Sequence, residues 1–268
     1  MKQVDYLIDR ALSLSRIDLT SGDLTWVAKN IENPQLEFTG ETTEKRDAQG
    51  TLIAQFDTAK GATLSGELSL LNMMVLASQL GTEVQFGAQN AAIEVDYVDE
   101  MVAEKGENET QFKCKTKYKP KTSPTAIYAL NADGSMGTKY TIATGENVAT
   151  YAAGTGDDAG IGIITLPASV TTGGKFVVAY KYDSETAVMV EDNAEEFAVP
   201  AKYVLKILGA DVCNPALKRS GAIVFPKAKL DNNFSLNLTT DGTHPFSLTA
   251  LKDYCDEAGK LCYVVWDE

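Results

Sequence analysis

Apolar and polar residues alternate along most of the chain. In "NFSLNLTT" the residues Phe234, Leu236 and Leu238 fall on one face and Ser235, Asn237 and Thr239 on the other, the period-2 pattern of a half-buried strand. The same pattern recurs at "TLIAQFDT", "AIEVDYV", "KFVVAYKY", "TAVMV" and "KYVLKIL", with Gly, Asn, Asp and Pro between the runs. These segments predict a mainly β fold: an antiparallel β-sandwich or barrel. Two stretches predict flanking α-helices instead. Gly66 to Gly81 carries Leu68, Leu71, Val75 and Leu76 at helical spacing before a glycine suited to a C-terminal cap. In "SLTALKDYCDEAG", Ser247 can cap a helix whose apolar positions are Leu248, Leu251, Cys255 and Ala258.

The composition shifts in the middle. From Thr122 to about Gly174 the chain is rich in Thr, Ala and Gly, with "NADGS" and "GTGDDAG" as turns and "AIYAL" and "IGIITL" as short strands. This divides the chain into a β domain made of residues 1–121 and 175–268, and an inserted small β module at 122–174. With 268 residues, 44% hydrophobic and 23% charged, the chain can bury a substantial core. No apolar run is long enough to span a bilayer, and charges interrupt the N-terminal "MKQVDYLIDRALSLSR", so no membrane association is expected and a cytoplasmic site of synthesis is. A net charge of −13 argues against a general affinity for nucleic acid, which needs lysines and arginines to displace counterions.

Candidate chemistry is sparse. His244, the only histidine, lies three residues after Asp241 and eleven before Cys255, but no G-x-S-x-G elbow presents a nucleophile to it. Placed after "DG" and before Pro245, it reads as a turn residue joining the Phe234 strand to the Ser247 helix, and His244→Ala is expected to alter local packing at most. Cys114, Cys213, Cys255 and Cys262 form no C-x-x-C pair and read as reduced, mostly buried thiols. "GTGDDAGIG" lacks the pattern of a phosphate or calcium loop, so no metal, cofactor or catalytic residue is expected. One pattern stands apart. In "FKCKTKYKPK" five lysines, Lys113, Lys115, Lys117, Lys119 and Lys121, occupy every second position, so a strand there points all five to one face. Such a stripe protects an edge strand, or meets an acidic patch such as one including Glu191, Asp192, Glu195 or Glu196 on a second copy, or contacts nucleic acid.

The C-terminal stretch from "AKYVLKILGADV" through "LCYVVWDE", together with "LEFTGETTEKRDAQGTLIAQFDTAKGATLSGELSLLNMMVLASQLG", resembles the tail tube proteins of tailed bacteriophages. The resemblance implies a virion structural protein, not an enzyme. It implies six subunits closing into a ring, and rings stacking into a hollow helical tube that conducts DNA without binding it specifically. It further implies assembly in the host bacterial cytoplasm, a location in the virion tail, and a sheath protein, a tape measure protein and a tail terminator as candidate partners. A capsid decoration or tail terminator protein, or an Ig-like binding module, is the alternative.

Overall fold

The computed structural model describes residues 6–106, 111–145, 148–170, 173–212, 214, 216–254 and 259–266. The alternating runs become strands because each places one row of side chains in a core and the other in solvent. In chain order they are β1 (Tyr6–Ile17), β2 (Leu24–Lys29), β3 (Ile31–Arg46) and β4 (Leu52–Leu68), followed by the helix α1 (Met73–Leu80). Next come β5 (Gln85–Phe86), β6 (Ile93–Val102), β7 (Glu104–Lys105), β8 (Phe112–Lys115), β9 (Ala126–Leu130), β10 (Met136–Thr141), β11 (Thr150–Ala153), β12 (Gly162–Thr165), β13 (Lys175–Ser184) and β14 (Val188–Met189). The last four are β15 (Ala201–Asp211), β16 (Lys218–Leu230), β17 (His244–Ala250) and β18 (Tyr263–Trp266). The fold is mainly β and antiparallel, as the alternation predicts, with one α-helix among the described residues.

The chain forms two compact units: residues 1–84 with 190–268, and residues 85–189. The second unit is wider than the 122–174 module that composition marks, because β6, β8 and β13, outside the Thr/Ala/Gly-rich stretch, supply much of its core.

The first unit is built on one eight-stranded sheet in the order β2-β1-β15-β16-β17-β4-β3, with β18 also pairing to β16. Strand β16 is shared along its length: Ala228–Leu230 pair with β17, and Gly221–Val224 with β18. Register aligns the apolar rows. Leu14 lies opposite Leu205, and Leu205 opposite Ile223; all three are buried in the same cluster. Each such side chain stabilises the fold by roughly 1.5 to 3 kcal/mol relative to exposure. The sheet curls, because β2 runs straight into β3 through Asn30, whose φ of 60° suits asparagine better than most residues.

Helix α1 closes this curl. Asn72 caps it by accepting the N–H groups of Met74 at 3.0 Å and Val75 at 3.2 Å. From the helix, Ser78 accepts the Trp26 indole N–H of β2 at 2.8 Å, while the Gln79 amide donates to the Pro245 carbonyl of β17 at 3.0 Å. One short helix therefore ties two distant strands together.

Three local expectations are corrected. The helix expected over 66–81 begins only at Met73: Leu64, Gly66 and Leu68 also satisfy a period of two, and pairing with β17 decides for strand. Gly66 is needed there, since a Cβ would come within 2.9 Å of the Phe246 ring. The second expected helix is strand β17, in which His244, Phe246, Leu248 and Ala250 are all buried; Cys255 and Ala258, on which its helical period rests, lie outside the described residues. The expected strand at Phe234 is a connection without ladder partners, and Leu238 is 88% exposed. Alternation alone does not make a strand where β16 and β17 already pair directly, with Leu230 opposite Leu248.

The second unit is a sandwich of two four-stranded sheets, β10-β9-β13-β6 and β11-β12-β8-β7, with the small pair β14-β5 beside them. Ile127, Phe176 and Val178 from the first sheet share a core with Cys114 and Ile164 from the second. Asp99 is buried on β6 and satisfied: it accepts the Lys117 N–H at 2.6 Å and the Tyr180 hydroxyl at 3.1 Å. That hydroxyl in turn accepts the Tyr118 N–H, so a polar chain fixes the segment after β8. Burial pushes the Tyr180 hydroxyl well above its ordinary range.

Candidate assembly surfaces

The lysine stripe lies in the second unit, and only Lys113 and Lys115 belong to a strand. Exposure still alternates beyond β8: Cys114, Thr116 and Pro120 are buried while Lys115, Lys117, Lys119 and Lys121 are exposed. The stripe is partly satisfied at home. Lys115 reaches Asp158 at 2.9 Å, and Lys121 reaches Glu94 at 2.8 Å and Asp183 at 2.9 Å. Hydrogen bonds from Lys121 and Lys181 hold the Glu94 carboxyl at about 2, and Lys121 is pushed up to about 12 by the same carboxylates. Lys117 stands over the rings of Tyr97 and Tyr118, at 5.7 and 5.3 Å. Lys113 and Lys119 have no ion-pair partner among the described residues. Glu191, Asp192, Glu195 and Glu196 are all exposed, on the strand-free stretch that leads into β15 in the first unit.

His244 is not a turn residue. It opens β17 at 1% exposure, with Nε2 2.7 Å from Gln79 Oε1 and Nδ1 accepting the Asn72 N–H at 3.2 Å. The Nδ1 contact makes that nitrogen the acceptor, so Nε2 carries the proton and donates to the glutamine. Burial pushes the imidazole pKa down, which favours this neutral form. Its neighbours are an amide, a backbone N–H and the Phe234 ring at 6.0 Å, an arrangement that locks α1 to β17 and offers no nucleophile. Cys114 is equally inert: it is fully buried, and desolvation raises its thiol to about 12.

Three surfaces emerge that the alternating pattern did not single out. The first is an arm. Strands β3 and β4 stay paired from Ile31 opposite Leu68 out to Arg46 opposite Leu52, yet β17 covers β4 only over Thr63–Leu68. The remainder runs on beyond the end of β17 and carries Phe38, Ile53 and Phe56 at 65%, 61% and 59% exposure. Its tip is ordered, since Asp47 accepts the N–H groups of Gln49 and Thr51 and Gly50 supplies a φ of 84°.

The second is the solvent face of the sheet, which is divided in charge. Cross-strand register aligns Lys29, Ser13 and Lys206 in one row, and Lys229, Thr249, Thr63 and Glu37 in another. Lys202 joins the basic half; Glu32 and Glu67, opposite each other, join the acidic half on β3 and β4. Each strand's alternation marks these residues as outward, but only the strand order makes them two patches.

The third is the edge of β18, "YVVW", which pairs only with β16 among the described residues and has no charge and no proline. It is held firmly. Trp266 packs over Gly209 and Gly221, where a Cβ would come within 2.6 and 2.7 Å of its ring, and Tyr6 stacks on it at 4.8 Å.

No helix among the described residues is long and apolar enough to cross a membrane, and no group of His, Cys, Asp and Glu among them could hold a metal ion. No curated protein matches the chain. A family model does match, over residues 14–264, and so spans strands from both units. The arm, the divided sheet face and the unprotected edge are surfaces suited to self-association, and the chain belongs to the YomU/Tube protein family, consistent with the tail tube resemblance of its sequence.

Proposed function

We propose that the protein is the subunit of a bacteriophage tail tube, closing with five further copies into rings that stack into a conduit for DNA ejection. The observation that carries this reading is the β3–β4 arm, which presents Phe38, Ile53 and Phe56 to solvent in a chain of the tube family. Apolar side chains held on an ordered hairpin gain stability only when a second surface covers them. Arm and receiving surface differ, so the contact is head-to-tail, the type that closes rings or builds helices. The tube would assemble in the host cytoplasm and reside in the virion tail, with a tape measure protein, a tail terminator and a sheath protein as further partners. The net charge of −13 per copy disfavours adhesion to the DNA passing through. Electron microscopy of purified protein is expected to show rings or hollow tubes with six-fold symmetry; strictly monomeric protein at high concentration would defeat the reading.

The lysine stripe takes a secondary part in this reading, pairing Lys113 and Lys119 with Glu191, Asp192, Glu195 or Glu196 of another copy. Exposed pairs contribute roughly 0 to 1 kcal/mol each, so they set register and rate more than strength. Lys119→Glu is expected to leave folding intact and to slow polymerisation, with the difference fading as salt is raised. Light scattering reads this directly, and equal rates at low salt would remove the stripe from the interface.

A further inference from the structure

Arg16 is a cation on the core side of its strand. It follows the buried Leu14 by two residues on β1, so both point the same way, and register sets it beside Trp26 of β2 and Tyr203 of β15. Its Nη1 donates to the Thr25 hydroxyl at 3.2 Å, and it has no ion-pair partner among the described residues. Burial raises the pKa of the Tyr203 hydroxyl, and the neighbouring Arg16 charge pulls it part of the way back. Even so, neither that hydroxyl nor Arg16 Nε, both buried, meets hydrogen-bonding geometry with a neighbour. Buried donors without acceptors are costly, and cationic ones more so.

Arg16 and Trp26 line a cavity of about 550 Å³, a size typical of small-molecule sites, and all of its lining belongs to the first unit. The more exposed lining carries the opposite charge. Asp23 comes from the turn between β1 and β2 and Glu83 from the stretch after α1; both are exposed, and neither carboxylate has a partner among the described residues. Asp18 adds a third negative charge. It accepts the N–H groups of Thr20 and Ser21 at 2.8 Å, and these bonds hold its carboxyl below the usual range. Helix α1 ends at Gly81 on the same wall, so the negative end of its dipole acts in the same sense. Met74, Val84 and Val199 supply apolar wall.

We infer that this cavity binds a zwitterion, with its carboxylate on Arg16, its ammonium held by Asp23 and Glu83, and a short hydrocarbon chain between them along Met74 and Val199. Free amino acids with a side-chain amine and peptides ending in lysine share this chemistry. A simple anion is repelled by three carboxylates, and a simple cation leaves Arg16 without an acceptor and meets its like charge. The inference goes beyond the tube reading and does not depend on it.

Calorimetric titration of the full chain with ε-aminocaproate, caproate and hexylamine tests the site. The zwitterion is expected to bind with a Kd of about 1 mM, and the two single-charge probes at least about tenfold more weakly. Arg16→Gln should weaken ε-aminocaproate at least about tenfold. Because Arg16 touches the core, the exposed substitutions Asp23→Asn and Glu83→Gln carry the test independently: together they should keep the native melting temperature and weaken ε-aminocaproate about tenfold. Nα-acetyl-lysine, which keeps the carboxylate and side-chain ammonium of a peptide end, separates the two sources. Binding as tight as that of ε-aminocaproate assigns the site to peptide ends; binding of free lysine alone assigns it to amino acids. No binding of ε-aminocaproate, equal affinity for all three probes, or native affinity in the Asp23→Asn/Glu83→Gln protein would overturn the inference.

Discussion

Gly81→Ala is expected to unfold the closing helix and to lower the stability of the first unit by more than about 3 kcal/mol. Gly81 ends α1 at φ 84° and ψ 15°, and its N–H completes the last turn by donating to the Ala77 carbonyl at 2.8 Å. An L-residue in this left-handed region costs about 1 to 2 kcal/mol. The larger effect is steric. A Cβ here would overlap the carbonyl carbon and oxygen of Phe197, and neither can rotate away as a side chain could. The helix end would have to part from the segment holding the buried Ala198, straining the Ser78–Trp26 and Gln79–His244 hydrogen bonds on the way. Gly50→Ala is the control: the φ is again 84°, but nothing lies within 4 Å of the added carbon. It should lose only about 1 to 2 kcal/mol, a small shift in melting temperature beside about 10 °C for Gly81→Ala. Equal losses in urea melts would mean that the Phe197 contact contributes nothing.

His244→Ala is expected to lower stability by about 3 kcal/mol, a larger effect than a turn residue would give. The imidazole fills space between α1 and β17 and satisfies two groups at once, the Asn72 N–H and the Gln79 amide oxygen. Removing it leaves a cavity and both partners unpaired in the interior, where each unpaired group costs about 1 to 3 kcal/mol. The same site gives the protein a pH dependence. Burial holds the folded pKa of His244 below the ordinary 6.5, so the unfolded chain binds the proton first on acidification. The contribution is therefore present above about pH 6.5 and lost as pH falls toward and through the depressed folded value. Glu94 and Asp9, whose carboxyls are held down by lysines, lose theirs only below the carboxylate range, in a separate window. The stability gap between native protein and His244→Ala should accordingly be widest near about pH 7.5 and narrow toward about pH 5. A gap that stays constant over that range would show that the imidazole is not held neutral by the fold.

The case of His244 shows how much of the site was legible in the chain. The residue was conspicuous, but its role depends on Gln79 and Asn72, 165 and 172 positions away. Only the pairing of β17 with β4 brings α1 beside it, and no local pattern encodes that pairing. The lysine stripe was legible because alternation is local and survives even past the end of β8. What it meets was not: Asp158, Glu94 and Asp183 are supplied by three other parts of the second unit. Of the arm, only the alternating run "TLIAQFDT" on β4 was visible in the sequence. That it outruns its neighbour follows from where β17 stops, at Thr249 opposite Thr63.

The sequence by itself determined the antiparallel β class, the strands at β4, β6, β13 and β15, the glycine that ends α1 and the tube-family resemblance. Each of these rests on short-range patterning or on residue types that restrict the backbone locally. Only the tertiary structure decided that residues 66–68 and 244–250 are strand and not helix, because both stretches satisfy two periods and pairing chooses between them. It alone decided which patches face solvent together, since a lysine on β15 and a glutamate on β3 become neighbours or opposites through strand order. The edge of β18 belongs to this second class: four apolar residues are unremarkable until the sheet leaves one side of them without a ladder partner among the described residues.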